Sequence, residues 1–239
     1  MPLTHARPNI ALYLAGFLIL AMAVYGPIVQ PLNYHHFADQ RALSVISHAG
    51  DVLSNLAFLF AAMYGAFRMW RLRRFDPAQA VFVGALALTA AGSSWYHLAP
   101  DNARLVWDRL PIAIACAALL AGALKETYPT LKRALPVLAV LGALSVLWWS
   151  LTADLRPYLL IQGMPLLLIP VLQWQSDAPL GRRIAFTLAI IMYVFAKMFE
   201  LADVQVFQAF GVLSGHTIKH LLAAAAAIVL IRQFDGKLA

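Results

Sequence analysis

Residues 78–98 read AQAVFVGALALTAAGSSWYHL and contain no Asp, Glu, Lys or Arg. A transmembrane helix needs roughly 20 consecutive, mostly apolar residues, and this stretch satisfies that requirement. Two polar side chains, Ser93 and His97, lie near its end. Such groups are costly in lipid and usually serve a function, so the stretch predicts a membrane-spanning helix with functional residues close to one membrane face.

Apolar stretches of similar length cover most of the chain, which is 62% hydrophobic and only 12% charged. A soluble domain has about 25% charged residues, so this composition excludes one. The sequence therefore predicts an all-α, polytopic transmembrane helix bundle. The eight stretches run over residues 10–29, 51–70, 78–98, 105–124, 134–151, 157–173, 184–203 and 212–232.

The basic residues lie in short runs between the apolar stretches, and this distribution encodes membrane topology. The net charge of +7 is therefore no indication of nucleic-acid binding. With the N-terminus in the cytoplasm, twelve Lys and Arg residues fall on the cytoplasmic side and four on the opposite side. The positive-inside rule thus predicts that both termini are cytoplasmic and that Ser93 and His97 lie near the opposite face.

The first stretch, residues 10–29, has two interpretations. Arg7, the apolar run and the small residues at Ala21-Met22-Ala23 fit a signal peptide with its cleavage site. The run stays apolar beyond residue 23, which favours a retained membrane anchor. The other seven spans keep their orientation in either case.

Five polar residues of three separate spans fall at the same predicted membrane face: Ser93, His97, Asp108, His216 and His220. Residues four apart lie on one helix face, so His216 and His220 can bind one ion, and His97 can supply a third nitrogen. Catalytic zinc has three protein ligands and one open position for water, whose pKa it lowers to about 7. Asp108 can accept the proton of that water, and Ser93 can bond the water or an oxyanion.

Each of these residues also has a plain structural interpretation. An isolated pair of histidines four apart is weak evidence for a metal. Ser93 can bond to a carbonyl of its own helix, as serines do in membrane helices. Asp108 can pair with Arg109 or cap its helix. The convergence of all five residues at one depth favours the metal site.

The same residues resemble the CREST superfamily, which includes the alkaline ceramidases, the adiponectin and progestin receptors, and hemolysin III-like proteins. The resemblance extends over about residues 48–232. The motifs that carry it are Ser93-Ser94-Trp95-Tyr96-His97, Trp107-Asp108, Ser214-Gly215-His216-Thr217-Ile218-Lys219-His220 and, for the ceramidase branch, Asp51-Val52-Leu53-Ser54-Asn55-Leu56.

The resemblance implies a seven-helix zinc hydrolase core at residues 48–239, preceded by an extra span and loop at residues 1–47. It implies Zn²⁺ on the three histidines, with Asp108 and Ser93 as catalytic residues. The implied reaction is hydrolysis of the N-acyl amide of a ceramide-like membrane lipid, which yields a long-chain base and a fatty acid. Retention of both catalytic residues favours this reaction over the alternative, a heptahelical receptor or lipid-binding protein with a structural zinc.

The chain departs from the eukaryotic ceramidases in its extra N-terminal span and in lacking their acidic N-terminal stretch, so the resemblance does not extend to their calcium site. Its compact loops suggest a bacterial inner-membrane protein with the site towards the periplasm.

Other polar residues receive structural interpretations. His35 and His36 are expected to be solvated in a loop. Lys197 and Glu200 are expected to form an ion pair on one helix. Lys219, between the two motif histidines, is expected to point elsewhere. Ser54 and Asn55 are expected to bond between helices.

Overall fold

The computed structural model describes residues 9–234, which form an all-helical chain. The predicted all-α polytopic bundle is confirmed. Arg7 and Lys237, which contribute to the charge bias, lie outside the described residues. The helices are α1 (Ile10–Tyr25), α2 (Ala49–Ser54), α3 (Leu56–Leu72), α4 (Pro77–Leu98), α5 (Asn102–Thr127), α6 (Ala134–Thr152), α7 (Arg156–Gln175), α8 (Leu180–Leu201), α9 (Asp203–Phe210) and α10 (Gly215–Ile231).

Within residues 9–234, six helical segments are long and apolar enough to cross a membrane. α2 and α3 together form the first, Ala49–Leu72, and α4 to α8 form the other five. A seventh exists if α9 and α10 are counted as one span.

The first predicted span is shorter in the structure. The prediction covers residues 10–29, whereas α1 has 16 residues. The helix ends before Gly26, whose φ of +90° is incompatible with a continuing helix, and Pro27 follows. At 1.5 Å per residue, α1 reaches less far than the roughly 30 Å of a typical hydrocarbon core.

The last predicted span, residues 212–232, is not preceded by a simple loop. α9 and α10 meet at a bend of 104°. Gly211 ends α9 with a φ of +69°, and Ser214 caps α10 with its hydroxyl, which accepts from the backbone N–H of Thr217. The bend places the start of α10 beside the end of α8, at the height of the predicted site.

Loops of the described chain meet at one end of the bundle, which we call the site end because α4 ends there and α5 and α10 begin there. Ser47 donates to the carbonyl oxygen of Leu98, and the N–H of Leu155 donates to the carbonyl oxygen of Ile28. The opposite end, where α4 and α8 begin, is the distal end. We call the half of the bundle near the site end the site half, and the half near the distal end the distal half.

The distal half is packed with apolar side chains from α4, α5 and α10. Buried residues of its cluster include Phe82, Ala85, Ala118, Ala227 and Ile231. Small residues let helix backbones approach closely, and such packing drives association in lipid, where no hydrophobic effect acts between helices.

Two glycines bring helix backbones into contact in the site half. A Cβ atom at Gly92 of α4 would lie 2.0 Å from the carbonyl oxygen of Trp107 in α5. A Cβ atom at Gly215 would lie 2.0 Å from the carbonyl oxygen of Phe199 in α8. These contacts fix α4 against α5 and α10 against α8, and the predicted site residues follow directly in sequence.

The loop at residues 26–48, which we call the strap, crosses the site end. Arg41 donates two hydrogen bonds to Asp39, and these bonds hold the pKa of the Asp39 carboxyl below its usual value. The same guanidinium donates to the carbonyl oxygens of Gly211 and Val212, at 3.0 and 2.8 Å. The strap is therefore attached to the turn between α9 and α10.

Candidate metal centre

Three histidines from two helices converge at the site end, as the sequence predicts. His97 of α4 and His216 and His220 of α10 each offer one ring nitrogen, and these nitrogens lie within 4.8 Å of one another. Nε2 of His97 is 3.2 Å from Nε2 of His216. All three side chains are buried.

The first turn of α10 is anchored by two carboxylates. The backbone N–H of His216 donates to Oδ1 of Asp203, at 2.7 Å. Oδ1 of Asp51 accepts from the hydroxyls of Ser214 and Thr217, at 3.0 and 2.8 Å. Asp51 itself is fully buried. These bonds hold the helix start in place, so that both histidines of α10 face His97.

His220 is oriented by Ser54 of α2. The Ser54 hydroxyl lies 2.8 Å from Nδ1 of His220 and donates its proton to the carbonyl oxygen of Asp51, also at 2.8 Å. When the hydroxyl donates to Asp51, it accepts from Nδ1–H of His220. Nε2 of His220 then carries a lone pair, which is the state that a metal ligand needs. Ser54 bonds between helices as expected, and its partner is a member of the histidine cluster.

The donor set fits a zinc ion. Zinc prefers nitrogen and sulfur ligands, and catalytic zinc sites hold three of them and leave a fourth position open. Three neutral imidazoles, buried and within reach of one another, meet this description. The cluster can therefore hold a metal ion.

Ser93 and Asp108 lie side by side where α4 and α5 touch. The Ser93 hydroxyl interacts with the Asp108 carboxyl group, and Ser93 is buried whereas Asp108 is partly exposed. The helix cap is Asp101, which accepts from the N–H of Arg104 at 2.7 Å, so Asp108 does not cap α5. Nη2 of Arg109 donates to Gln30 at 2.7 Å.

Lys219 does not point away from the site, so that prediction is wrong. Its Nζ lies 3.5 Å from Nε2 of His216 and 2.6 Å from Oε1 of Glu200. Oε2 of Glu200 pairs with Lys197, and this confirms the predicted ion pair between Lys197 and Glu200. The side chain of Lys219 points towards Glu200 because α10 packs most closely against α8, the helix that carries Glu200.

The strap covers the histidines. The ring centre of Phe37 lies 4.6 Å from that of His97 and 4.5 Å from that of His216. The next residue, Ala38, donates its N–H to Oδ2 of Asp203, at 2.8 Å. His35 is not merely solvated as expected, because its Nδ1 lies 2.9 Å from the Tyr96 hydroxyl.

The polar groups beside the histidines are less buried than the histidines themselves. Asp108, Lys219 and Glu200 are partly exposed, whereas the three histidines are buried. α8 packs along α10 and meets α5 through the ion pair between Arg182 and Glu126 near the distal end. The site is therefore more accessible at its polar groups than at the histidines.

Several residues beside the histidines are not predicted to belong to this site. The sequence singles out Asp51 only as part of a motif, and Glu200 only as the partner of Lys197. Asp51, Asp203 and Glu200 are ionisable groups near the ends of predicted spans, and the cost of such groups in lipid is a signal of function. Phe37 carries no such signal, because an aromatic residue in a loop has no distinguishing pattern. Its position over the histidines depends on the path of the strap.

Compared with known protein families and with curated proteins, the sequence matches no family model and no curated protein.

Proposed function

We propose that this chain is a zinc-dependent membrane amidohydrolase of the CREST type that cleaves the N-acyl amide of ceramide-like lipids. The observation that carries the proposal is the convergence of His97, His216 and His220 next to the pair formed by Ser93 and Asp108. A structural metal site needs ligands alone, whereas hydrolysis also needs a group that takes a proton.

The residues have distinct roles in this proposal. The three histidines would hold a zinc ion, which would supply Lewis acidity and lower the pKa of water to about 7. Asp108 accepts a proton from the attacking water and delivers it to the leaving nitrogen. Ser93 orients the carboxyl group of Asp108. Ser54 keeps Nδ1 of His220 protonated, so that Nε2 remains a ligand.

A lipid substrate agrees with the position of the site. Asp108 of α5 and Glu200 of α8 are partly exposed, and both helices are long and apolar enough to cross a membrane. In this proposal an acyl chain lies along these helices while its amide reaches the polar groups. Hydrolysis adds water across the carbon–nitrogen bond and releases a fatty acid and a long-chain base.

Substitution of Asp108 tests the reaction. At saturating zinc, folded Asp108→Asn should retain the metal and lose at least about 100-fold in hydrolysis of a short-chain fluorescent ceramide, because general-base catalysis contributes about 10²–10⁴ in rate. Ser93→Ala should lose less, since water can replace a neutral hydrogen bond. Asp101→Asn is the matched control: it alters a carboxylate on the same helix that caps the helix instead of facing the site, and Asn also caps well.

Two outcomes count against the proposal. Hydrolysis by Asp108→Asn at the wild-type rate would show that Asp108 is not the base. Zinc-loaded wild type that hydrolyses no acylated amine would favour the receptor with a structural zinc. The burial of the histidines under Phe37 is the observation that supports this second function, because structural zinc sites are closed.

The proposed location is the bacterial inner membrane with the site end towards the periplasm. Arginines and lysines of the loops at 73–76 and 128–133 support this orientation, as do Arg182 and Arg183 in the first turn of α8, because these segments lie near the distal end. A phosphatase reporter that is active only in the periplasm should be active after Asn102 and inactive after Asp76. The reverse pattern would place the site on the cytoplasmic face.

A further inference from the structure

A cluster of two lysines and one glutamate adjoins the histidines, and the hydrolytic roles above do not use it. Glu200 of α8 accepts from Lys197 through one oxygen and from Lys219 through the other. Lys197 is 50% exposed, whereas the side chain of Lys219 is 23% exposed and reaches towards His216. The two lysines therefore share one anion but occupy different surroundings.

Lys219 has a hydrogen-bond donor to spare at the site. An ammonium group carries three N–H donors, and Glu200 accepts one of them. Nε2 of His216, at 3.5 Å, has one lone pair, which binds either a metal or a proton of Lys219. When His216 serves as a ligand, Lys219 faces the site with at least one donor that His216 cannot accept.

The charge of the cluster is compatible with an anionic group on the substrate. Two lysines share Glu200, so these three side chains carry a net charge of +1. The other acid that attracts Lys219 is Asp108, which itself interacts with Ser93.

We propose that Lys219 binds a carboxylate of the substrate, so that among the N-acyl amides cleaved at this site, N-acyl amino acids are preferred over neutral amides such as ceramides. The proposal rests on the amidohydrolase function above and specifies its substrate class. Because Lys219 lies so close to His216, the anion that it binds must adjoin the scissile amide. In an N-acyl amino acid, a single carbon separates the carboxylate from the amide nitrogen, and hydrolysis yields a fatty acid and the free amino acid.

Two amides that differ only in charge test this substrate class. N-palmitoylglycine and N-palmitoylethanolamine share the acyl chain and the amide, and the first has a carboxylate where the second has a hydroxymethyl group. Equilibrium binding to the metal-free protein and kcat/KM of the zinc-loaded protein are measured for both. Wild type should prefer N-palmitoylglycine by at least about tenfold in both measurements, because a hydrogen bond to a charged group contributes about 1.5–3 kcal/mol and about 1.4 kcal/mol corresponds to a factor of ten.

Substitution of each lysine shows which one is responsible for the preference for N-palmitoylglycine. Lys219→Met should bring both ratios close to one, whereas Lys219→Arg should retain most of the preference. Lys197→Met is the matched control: it removes a lysine that pairs with the same Glu200 but is more exposed, and the ratios should stay within about twofold of wild type. If Lys219→Met does not fold, Lys219→Gln replaces it, since a glutamine can still bond to Glu200.

The outcomes separate this inference from the proposed function. A wild-type ratio near one, or a ratio that Lys219→Met leaves unchanged, would overturn the role of Lys219 even if both amides are hydrolysed. A preference in binding that depends on Lys219 would support it even if neither amide is hydrolysed, and in that case the amidohydrolase proposal would fail alone.

Discussion

The site half and the distal half of the bundle are held together by different interactions. In the site half, buried polar residues such as Asp51, Ser93 and His97 interact with polar groups of other helices. In the distal half, the interior is apolar, and the ion pair between Lys125 and Asp76 lies at its partly exposed rim. One half of the same bundle thus has a polar interior, and the other half has an apolar one.

This difference predicts how substitutions in each half should affect stability and the position of the histidines. Apolar packing in the distal half tolerates exchange of one apolar side chain for another of similar volume. The site half depends on close backbone contacts and on particular hydrogen bonds, and its polar groups have no replacement partner in lipid. Substitutions there should alter the position of the ligands before they unfold the distal half.

The largest expected effect is on the free energy of unfolding, and it distinguishes two glycines of α4. Gly92→Ala places a methyl group against the backbone of α5, which cannot move aside, and should destabilise the protein by at least about 3 kcal/mol. Gly84 lies in the distal half of the same helix, and a Cβ atom there would have no atom within 4 Å. Gly84→Ala should therefore be neutral or stabilise the protein by about 0.5–1 kcal/mol through helix propensity. Denaturant unfolding in detergent micelles measures both.

Equal stabilities of these two variants would contradict the close contact between α4 and α5. If Gly84→Ala alone lost stability, the tight packing of α4 would lie in the distal half instead of the site half. Zinc content of folded Gly92→Ala adds a second measurement, since a displaced α4 moves His97 away from α10.

Six of the eight predicted spans are long enough in the described residues, and they could be predicted because lipid imposes one requirement on every segment, a sufficient apolar length. The histidines could be predicted because residues four apart share a helix face, and because the cost of polar groups in lipid singles them out. Both rules are local. They need no knowledge of how the helices are arranged.

The remaining features depend on three-dimensional arrangement. The direction of Lys219 is set by Glu200 on another helix, 19 positions earlier in the chain. The bend between α9 and α10 follows from the left-handed conformation of Gly211 combined with the bond from His216 to Asp203. The strap reaches the histidines through Phe37, and no periodicity marks a loop residue for such a role. Such contacts between distant segments leave no pattern in a single sequence.

A smaller effect is expected from two hydroxyl groups that differ in what they bond. The Ser54 hydroxyl bonds Nδ1 of His220, whereas the hydroxyl of buried Thr89, on the distal side of Ser93, donates to the Ala85 carbonyl oxygen of its own helix at 2.9 Å. Ser54→Ala should weaken zinc binding by about 10–100-fold, because loss of a partner that orients a ligand histidine typically costs that much. Thr89→Val should leave zinc affinity unchanged, since it removes a bond that no ligand uses.

Competition with a chromophoric chelator measures zinc affinity in both variants, and thermal unfolding in detergent shows whether each remains folded. His220→Ala sets the scale, because removal of the ligand itself should abolish stoichiometric zinc binding. If Ser54→Ala binds zinc as tightly as wild type, packing alone orients His220, and the hydrogen bonds of the site half matter no more than those of the distal half. If Thr89→Val weakens zinc binding as much as Ser54→Ala does, the effect comes from loosened packing of α4 instead of from the bond to His220.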